Sequence, residues 1–295
     1  MSVLFRGSYT ALITPMMEDG SIDEKAFQKF VQWQIDEGTD GLVPVGTTGE
    51  SPTVTHREHE RIIDLCVEVA GGKVPVIAGA GSNSTSAALS LTQHAKAAGA
   101  EGALVVTPYY NKPSQEGLYQ HYAAIAKAVD IPIIIYNIPG RSVVDMSVET
   151  MARLAKDYDN IVGVKDATAD LARPLATRLA IGEDFVQLSG EDATIVAFLA
   201  QGGHGCISVS SNAAPKLCAR LHDAWAEGDM ATVNALRDEL MPIHEAMFCE
   251  SSPAPAKYAA SLLGLCGNHA RLPVVNVTPD GGARIKAVMQ KAGLL

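Results

Sequence analysis

Lys165 is the residue whose type and position point most directly to chemistry. Most other lysines lie on stretches with helical periodicity, whereas Lys165 ends the apolar run Ile161–Val164. A buried ammonium is costly unless it is paired or its pKa falls. A lysine with a depressed pKa is an amine nucleophile that can condense with a carbonyl to give a Schiff base. We predict this role for Lys165; an ion pair with Asp166 or Glu191 is the alternative that strand position alone leaves open.

Other polar side chains follow apolar runs in the same way. Tyr136 could pass protons during carbinolamine formation, or it could be an interior tyrosine at a strand end. Thr47 and Thr48 lie between glycines, in a turn whose N–H groups and hydroxyls suit a small carboxylate. The planar guanidinium of Arg141 suits a second carboxylate, with a surface ion pair as the alternative.

The histidines give a weaker signal. His56 and His59 lie three residues apart on a predicted helix, a spacing compatible with metal binding. No third ligand is evident nearby, so a polar helix face is favoured and we predict no metal. The glycines around His204 precede a strand instead of following one, which predicts a tight turn and not a phosphate loop.

Apolar runs rich in valine and isoleucine recur along the chain, each followed by a stretch with helical periodicity. The runs are continuous, as is typical of strands buried on both faces. They are Tyr9–Thr14, Gly41–Val45, Val74–Ala78, Gly102–Val106, Ile131–Tyr136, Ile161–Lys165, Phe185–Leu188 and Gly205–Val209. The pattern predicts helices at Asp23–Glu37, Thr55–Ala70, Ser84–Ala98, Ser114–Ala128, Ser147–Ala155 and Thr194–Ala200, several with a Ser, Thr or Asp at the N-cap.

This alternation predicts an α/β fold with parallel strands, and eight such units close naturally into a (β/α)8 TIM barrel. A doubly wound open sheet is the alternative, disfavoured because no GxGxxG loop follows the first run. From Asp229 onward the pattern is helical only, at Met230–Phe248, Pro255–Leu265 and Gly281–Ala292. We therefore predict a catalytic barrel over residues 1–228 and a small C-terminal all-helical extension over residues 229–295. In such a barrel the chemistry lies at the carboxyl ends of the strands.

Composition restricts the class of protein. The 295 residues are 47% hydrophobic with a formal net charge of -10, so the chain can bury a large core, and the acidic balance argues against nucleic acid as a partner. We find neither a secretion signal nor an apolar stretch of membrane-spanning length. The cysteines share no close CxxC spacing and predict reduced thiols. We expect a soluble cytoplasmic enzyme.

Six segments together resemble the dihydrodipicolinate synthase family, within the pyruvate-dependent class I aldolase superfamily. They keep the family's order and spacing, and the resemblance runs from about Gly7 to the C-terminus. The segments are GTTGES, VTPYYNKPSQEGLYQHY, YNIPGR, GVKDAT, LSGED and GGHGCISV.

The resemblance implies roles for the matching residues. Lys165 would be the Schiff-base lysine and Tyr136 the proton donor and acceptor, with Thr47 and Tyr110 as its relay partners. The tyrosine at the position of Tyr110 crosses a dimer interface in this family. A homo-oligomer is therefore implied, typically a tetramer built as a dimer of dimers.

The resemblance also implies the substrates. The family condenses pyruvate with L-aspartate 4-semialdehyde in the diaminopimelate route to lysine, through an enamine on the lysine. The implied substrate-binding residues are Thr48, Ile207, Gly190 and Arg141, the first holding the pyruvate carboxylate and the last the carboxylate of the semialdehyde. No metal or organic cofactor is implied, since the lysine supplies the electrophilic activation.

A regulatory site for lysine is a further candidate implied by the resemblance. The residues that match it are Ser51, His56, His59, Asn83 and Tyr109. Ala87, however, stands where inhibited members commonly carry a glutamate that holds the amine of the ligand. The sequence therefore predicts weak or absent inhibition by lysine.

Three alternative functions stay open. N-acetylneuraminate lyase or a 2-keto-3-deoxy sugar acid aldolase would share Lys165 and Tyr136, although Arg141 favours a carboxylated second substrate. A metal-dependent aldolase would use His56 and His59 as ligands. A non-catalytic keto-acid-binding oligomer would need Lys165 only as an ion-pair partner.

Overall fold

The strands form a single parallel sheet. The structure is a computed structural model that describes residues 5–295. Within these residues lie eight strands: β1 (Gly7–Ala11), β2 (Gly41–Val43), β3 (Ile77–Gly79), β4 (Gly102–Val106), β5 (Ile133–Asn137), β6 (Ile161–Asp166), β7 (Val186–Ser189) and β8 (Gly205–Ser208). Their order in the sheet is β2-β1-β8-β7-β6-β5-β4-β3, and a parallel bridge joins Leu42 to Val76, just before β3. The predicted (β/α)8 barrel is confirmed.

Helices follow the strands throughout. They are α1 (Glu24–Asp36), α2 (His56–Ala70), α3 (Thr85–Ala98), α4 (Gln115–Ala128), α5 (Pro139–Ser142), α6 (Val148–Asp157), α7 (Arg173–Ile181), α8 (Ile195–Ala200), α9 (Pro215–Glu227), α10 (Met230–Ala246), α11 (Ala254–Leu262) and α12 (Pro279–Lys291), with a 3-10 turn at Ser210–Asn212. The predicted starts of α2, α4 and α6 are their N-caps, where Thr55, Ser114 and Ser147 accept hydrogen bonds from the first turn.

The predicted bounds differ from the structure in two instructive places. β2 ends at Val43 instead of Val45, because Val45 has a φ of 47° and turns the chain out of the strand. Helices α5, α7 and α9 have no counterpart among the predicted bounds. Each carries a proline in its first turn, where the ring fits because the N–H it lacks would have no partner in the helix.

The described chain divides into two compact units. The first contains Ile77–Ile207 with residues 5 and 6, and the second contains Gly7–Val76 and Ser208–Leu295. In the first unit every residue of β5 is buried. Burial of an isoleucine such as Ile134 contributes about 1.5–3 kcal/mol, so this continuous apolar strand stabilises the unit strongly.

In the second unit Asn212 joins distant parts of the chain. Its side chain accepts a hydrogen bond from the Ile13 backbone at 3.0 Å and donates one to the Ala11 carbonyl at 2.8 Å.

The predicted domain boundary at 228/229 stays a prediction; α9 ends at Glu227 and α10 begins at Met230.

Two further expectations concern membranes and thiols. Among the described residues, no helix combines the length and the hydrophobicity that a bilayer crossing requires. Within residues 5–295 no disulfide joins any of the five cysteines, and three of them, Cys66, Cys206 and Cys218, are buried.

Candidate active site

The first unit places Lys165 beside Tyr136. The two residues pair in register on the neighbouring strands β6 and β5, so their side chains leave the sheet on the same face. The Lys165 Nζ lies 4.4 Å from the centroid of the Tyr136 ring, and both side chains are buried. This puts an amine and a phenol together, the pair that carbonyl condensation with proton transfer requires.

Gly190 makes room for the lysine side chain. A Cβ at this position would lie 3.1 Å from Lys165 Cε and 2.7 Å from Ala167 Cβ. The Gly190 amide donates a hydrogen bond to the Asp166 carbonyl at 2.7 Å, which brings its backbone against β6. A larger residue would therefore crowd both the Ala167 and the Lys165 side chains, and the local packing would have to change.

Asp166 has partners other than the lysine amine. Its carboxylate lies 2.9 Å from Arg173 Nε and accepts hydrogen bonds from the backbone and hydroxyl of Thr168 at 2.8 and 2.6 Å. Burial, with a contribution from nearby Asp192, raises the pKa of Glu191. Within residues 5–295 neither carboxylate forms an ion pair with Lys165, so the structure gives no support to a structural ion pair there.

The loop after β5 carries Arg141. Asn137 donates a hydrogen bond to the Asp145 carboxylate at 2.7 Å and accepts one from the Met146 backbone at 3.0 Å. These bonds close the segment that contains α5, where Arg141 is exposed. In the described part of the chain Arg141 forms no ion pair, which leaves its guanidinium available to a ligand.

The segment after β4 exposes two tyrosines. Tyr110 is 89% exposed and has a φ of 73°, a conformation that costs a non-glycine residue about 1–3 kcal/mol. Tyr109 is also exposed, and its carbonyl accepts a hydrogen bond from Asn111. Asn111 in turn donates to the Asn83 carbonyl at 2.9 Å. The chain is thus held in a strained form that presents the Tyr110 ring to solvent.

In the second unit, Thr47 and Thr48 lie in a tight turn after β2. The Gly49 and Glu50 amides donate to the carbonyls of Gly46 and Thr47, each at 3.1 Å. Thr47 is half-buried and Thr48 is buried. The predicted turn is therefore present.

The remaining predicted residues lie as follows. Ile207 is buried on β8, and Ser51 is half-buried in the turn region after β2. His56 is exposed at the start of α2, whereas His59 is buried. Asn83 and Ala87 are half-buried, the latter on α3. Within residues 5–295, no three His, Cys, Asp or Glu side chains are grouped so that they could hold a metal ion.

Two charged residues were missed in the sequence. Arg173 forms the ion pair with Asp166. It was missed because it is the first residue of α7, a helix that was not among the predicted ones. Lys257 is fully buried on α11. The signal for Lys257 was available, since α11 reads APAKYAASL, in which only Lys257, Tyr258 and Ser261 are polar, a composition typical of a largely buried helix.

Comparison with known proteins places the chain among relatives of one kind. The sequence matches the Dihydrodipicolinate synthetase family over residues 4–292. It is 68% identical, over 292 residues, to the 4-hydroxy-tetrahydrodipicolinate synthase of Rhodospirillum centenum, an alignment that covers 99% of this chain and 100% of the relative.

Solved structures agree with this result. Dihydrodipicolinate synthase from Aquifex aeolicus superposes with a TM-score of 0.96 at 43% identity, covering 98% of this chain and 99% of that one. The chloride-inhibited dihydrodipicolinate synthase from Acinetobacter baumannii, complexed with pyruvate, gives a TM-score of 0.96 at 42% identity and covers both chains fully, at 100% each.

A buried amine beside a phenol on neighbouring strands suits the Schiff-base chemistry of lyases of the class I aldolase type, and the relatives of this chain are such lyases. The match over nearly the whole length is more specific. The chain belongs to the dihydrodipicolinate synthetase family, which confirms the resemblance.

Proposed function

We propose that this protein acts as a 4-hydroxy-tetrahydrodipicolinate synthase, which condenses pyruvate with L-aspartate 4-semialdehyde in the diaminopimelate route to lysine. The observation that carries the proposal is the buried Lys165 amine beside Tyr136, in a chain 68% identical to an enzyme of that name. The alternative activities, N-acetylneuraminate lyase and sugar acid aldolase, are not favoured, since the high-identity relatives carry the synthase name.

Lys165 is the proposed nucleophile. Its amine attacks the ketone carbon of pyruvate, and loss of water from the carbinolamine leaves an iminium. The iminium withdraws electrons from the adjacent methyl group, which loses a proton to give an enamine. The enamine carbon then attacks the aldehyde carbon of the second substrate. Attack by that substrate's own amine on the iminium carbon closes the ring and releases Lys165.

Tyr136 is the proposed proton carrier for these steps, because its phenol lies next to the amine. Thr47 and Tyr110 are proposed as its relay partners on the strength of the family resemblance. Thr48, Gly190 and Ile207 are proposed to hold pyruvate. For Gly190 the structure adds support, since a side chain there would meet Lys165 Cε.

Borohydride trapping tests the proposal. The protein is incubated with pyruvate and sodium borohydride, and the reduced adduct is located by intact mass and peptide mapping. A single pyruvyl adduct on Lys165, with turnover of the semialdehyde that survives a chelator, is expected. No adduct, or adducts spread over surface lysines, would contradict the Schiff base, and turnover lost to the chelator would favour a metal-dependent aldolase.

Arg141 is the proposed ligand for the carboxylate of L-aspartate 4-semialdehyde. We expect Arg141→Ala to lower kcat/KM for the semialdehyde by about 10²-fold, since a charge-assisted bidentate contact of roughly 2–3 kcal/mol is lost. Pyruvate trapping on Lys165 should be unchanged. Arg178→Ala, which removes a half-buried arginine paired with Glu183 in the same unit, is the matched control. A uniform loss of both readouts in Arg141→Ala would contradict the assignment.

We propose a homo-oligomer, in which Tyr110 is covered by a partner subunit. Its exposed ring and positive φ support this, because a strained, solvent-exposed aromatic side chain has no stabilising role in a single chain. Leu175 and Leu179, one turn apart on α7, are both exposed; this apolar pair supports the proposal of a second contact surface and hence of a tetramer as a dimer of dimers. Light scattering should give a molar mass near four times that of one chain.

The candidate lysine site is proposed at Ser51, His56, His59, Asn83 and Tyr109, with Ala87 in place of a glutamate. We expect no inhibition at submillimolar lysine, since loss of a charged partner in a desolvated site costs about 2–5 kcal/mol of binding. Ala87→Glu should then introduce inhibition, while Ser86→Glu, at the neighbouring exposed position of α3, should not. A submillimolar inhibition constant for the unaltered protein would refute this expectation. A cytoplasmic location is proposed as well, supported by five cysteines that form no disulfide within the described residues.

A further inference from the structure

Lys257 is a fully buried lysine that the proposed mechanism does not use. It lies on α11, where every residue from Ala254 to Ala260 except Tyr258 is buried. Burial lowers the pKa of its ammonium, and nearby Glu50 partly offsets that effect. Burying an ammonium costs free energy unless the charge is paired and hydrogen-bonded, so the partner of Lys257 is what explains its position.

That partner is Glu50, which is 207 residues away in the sequence and in the same unit. The Lys257 ammonium donates a hydrogen bond to Glu50 Oε1 and forms an ion pair in which both side chains are buried. Glu50 Oε2 accepts a second hydrogen bond from the Arg271 backbone at 2.9 Å. Both oxygens of the carboxylate are therefore fixed.

Glu50 is itself part of the turn that holds the two threonines. Its amide donates to the Thr47 carbonyl at 3.1 Å, and its φ is 59°, in the left-handed region that glycine favours. The Thr14 hydroxyl donates to the carbonyl of the preceding Gly49 at 2.7 Å. A strained residue at this position persists only when the surrounding contacts impose it, and the bonds to the Glu50 side chain are such contacts.

A second clamp holds the chain that follows. The Arg271 guanidinium donates to the Thr53 carbonyl at 2.9 Å and to the Glu58 carboxylate, and it holds the pKa of Glu58 at about 2. Glu58 completes the capping box of α2 with Thr55. The chain from Glu50 to α2 is thus tied to the C-terminal part of the molecule at two points.

We propose that Lys257 is a positioning residue: through its buried bond to Glu50 it fixes the turn that orients the Thr47 and Thr48 hydroxyls. The inference rests on the proposed function of these threonines. A buried ion pair adds little stability over apolar side chains of the same volume. What the pair supplies is a single direction for the Glu50 side chain, and therefore a single conformation of the turn.

The experiment compares Lys257→Met with the double variant E50Q/K257M. In Lys257→Met the buried Glu50 carboxylate loses its cation and keeps the hydrogen bond from the Arg271 backbone, so both stability and turnover should fall. In the double variant no unpaired charge remains, so the melting temperature should return most of the way to that of the unaltered protein. The turn has still lost the bond between residues 257 and 50. We therefore expect kcat to stay at least tenfold below that of the unaltered protein, with a raised KM for pyruvate and slower borohydride trapping at Lys165.

Two controls separate stability from positioning. Val233→Ala removes buried side-chain volume from α10 in the same unit, and should lower the melting temperature while kcat and KM stay unchanged. Lys29→Met removes an exposed lysine whose ammonium donates to the Gly264 carbonyl, and should change neither. If Lys257→Met does not fold, the double variant alone decides the question.

Full recovery of kcat and KM in E50Q/K257M, or unaltered kinetics in Lys257→Met, would overturn the positioning role. Failure of the proposed function gives a different result, because then the unaltered protein itself forms no pyruvyl adduct on Lys165. The two failures are therefore distinguishable in one set of measurements.

Discussion

Lys165→Ala is expected to lower kcat by at least about 10³-fold and to remove the pyruvyl adduct from the trapped protein. The reason is that the proposed chemistry needs an amine at this position, and alanine can neither form the iminium nor polarise the ketone in another way. In the first unit the Lys165 amine lies against the Tyr136 ring, and Asp166 is bound by Arg173 instead. The measurements are kcat with both substrates and the intact mass after borohydride reduction.

The matched control is Lys156→Ala, which removes an exposed lysine from the last turn of α6 in the same unit. It should retain both the adduct and turnover. The folded structure of Lys165→Ala should also be retained, since the side chain forms no ion pair within the described residues. The keto-acid-binding alternative would be favoured by two results together: the unaltered protein forms no adduct, and Lys165→Ala still binds pyruvate nearly as well.

Much of the fold could be predicted because its signals are local. β5 and β6 read as continuous apolar runs, since both their faces are buried, and that pattern alone predicts parallel strands. The position of Lys165 at the end of such a run led directly to the candidate nucleophile. Its neighbour Tyr136 followed from the same rule, because neighbouring parallel strands end at one edge of the sheet.

Contacts between distant residues could not be read in this way. The partner of Lys257 lies 207 positions earlier, and nothing in the sequence near either residue identifies the other. The close approach of Gly190 to Lys165 depends on the packing of β7 beside β6. The backbone of Tyr110 gave no signal either, since positive φ is expected at glycine and this residue is a tyrosine.

Tyr136→Phe is expected to lower kcat by about 10²–10⁴-fold, the range that positioned proton transfer contributes. The substitution keeps the ring that lies 4.4 Å from the Lys165 amine and removes only the hydroxyl, so the amine should keep its surroundings. Borohydride should therefore still trap pyruvate on Lys165, but at a rate slowed in proportion to the lost proton transfer. Stopped-flow or quenched trapping measures that rate separately from turnover.

Tyr119→Phe is the matched control for this change. It removes another tyrosine hydroxyl of the same unit. The Tyr119 hydroxyl, on α4, donates a hydrogen bond to the Asp157 carboxylate, on α6, at 2.8 Å. We expect it to leave the trapping rate and kcat unchanged. Equal losses of kcat and trapping rate in both variants would mean that the effect of Tyr136→Phe comes from a lower stability of the whole unit and not from the lost proton transfer. A wild-type trapping rate in Tyr136→Phe would transfer the proton-carrying role to another group, because carbinolamine collapse requires a proton donor whichever residue supplies it.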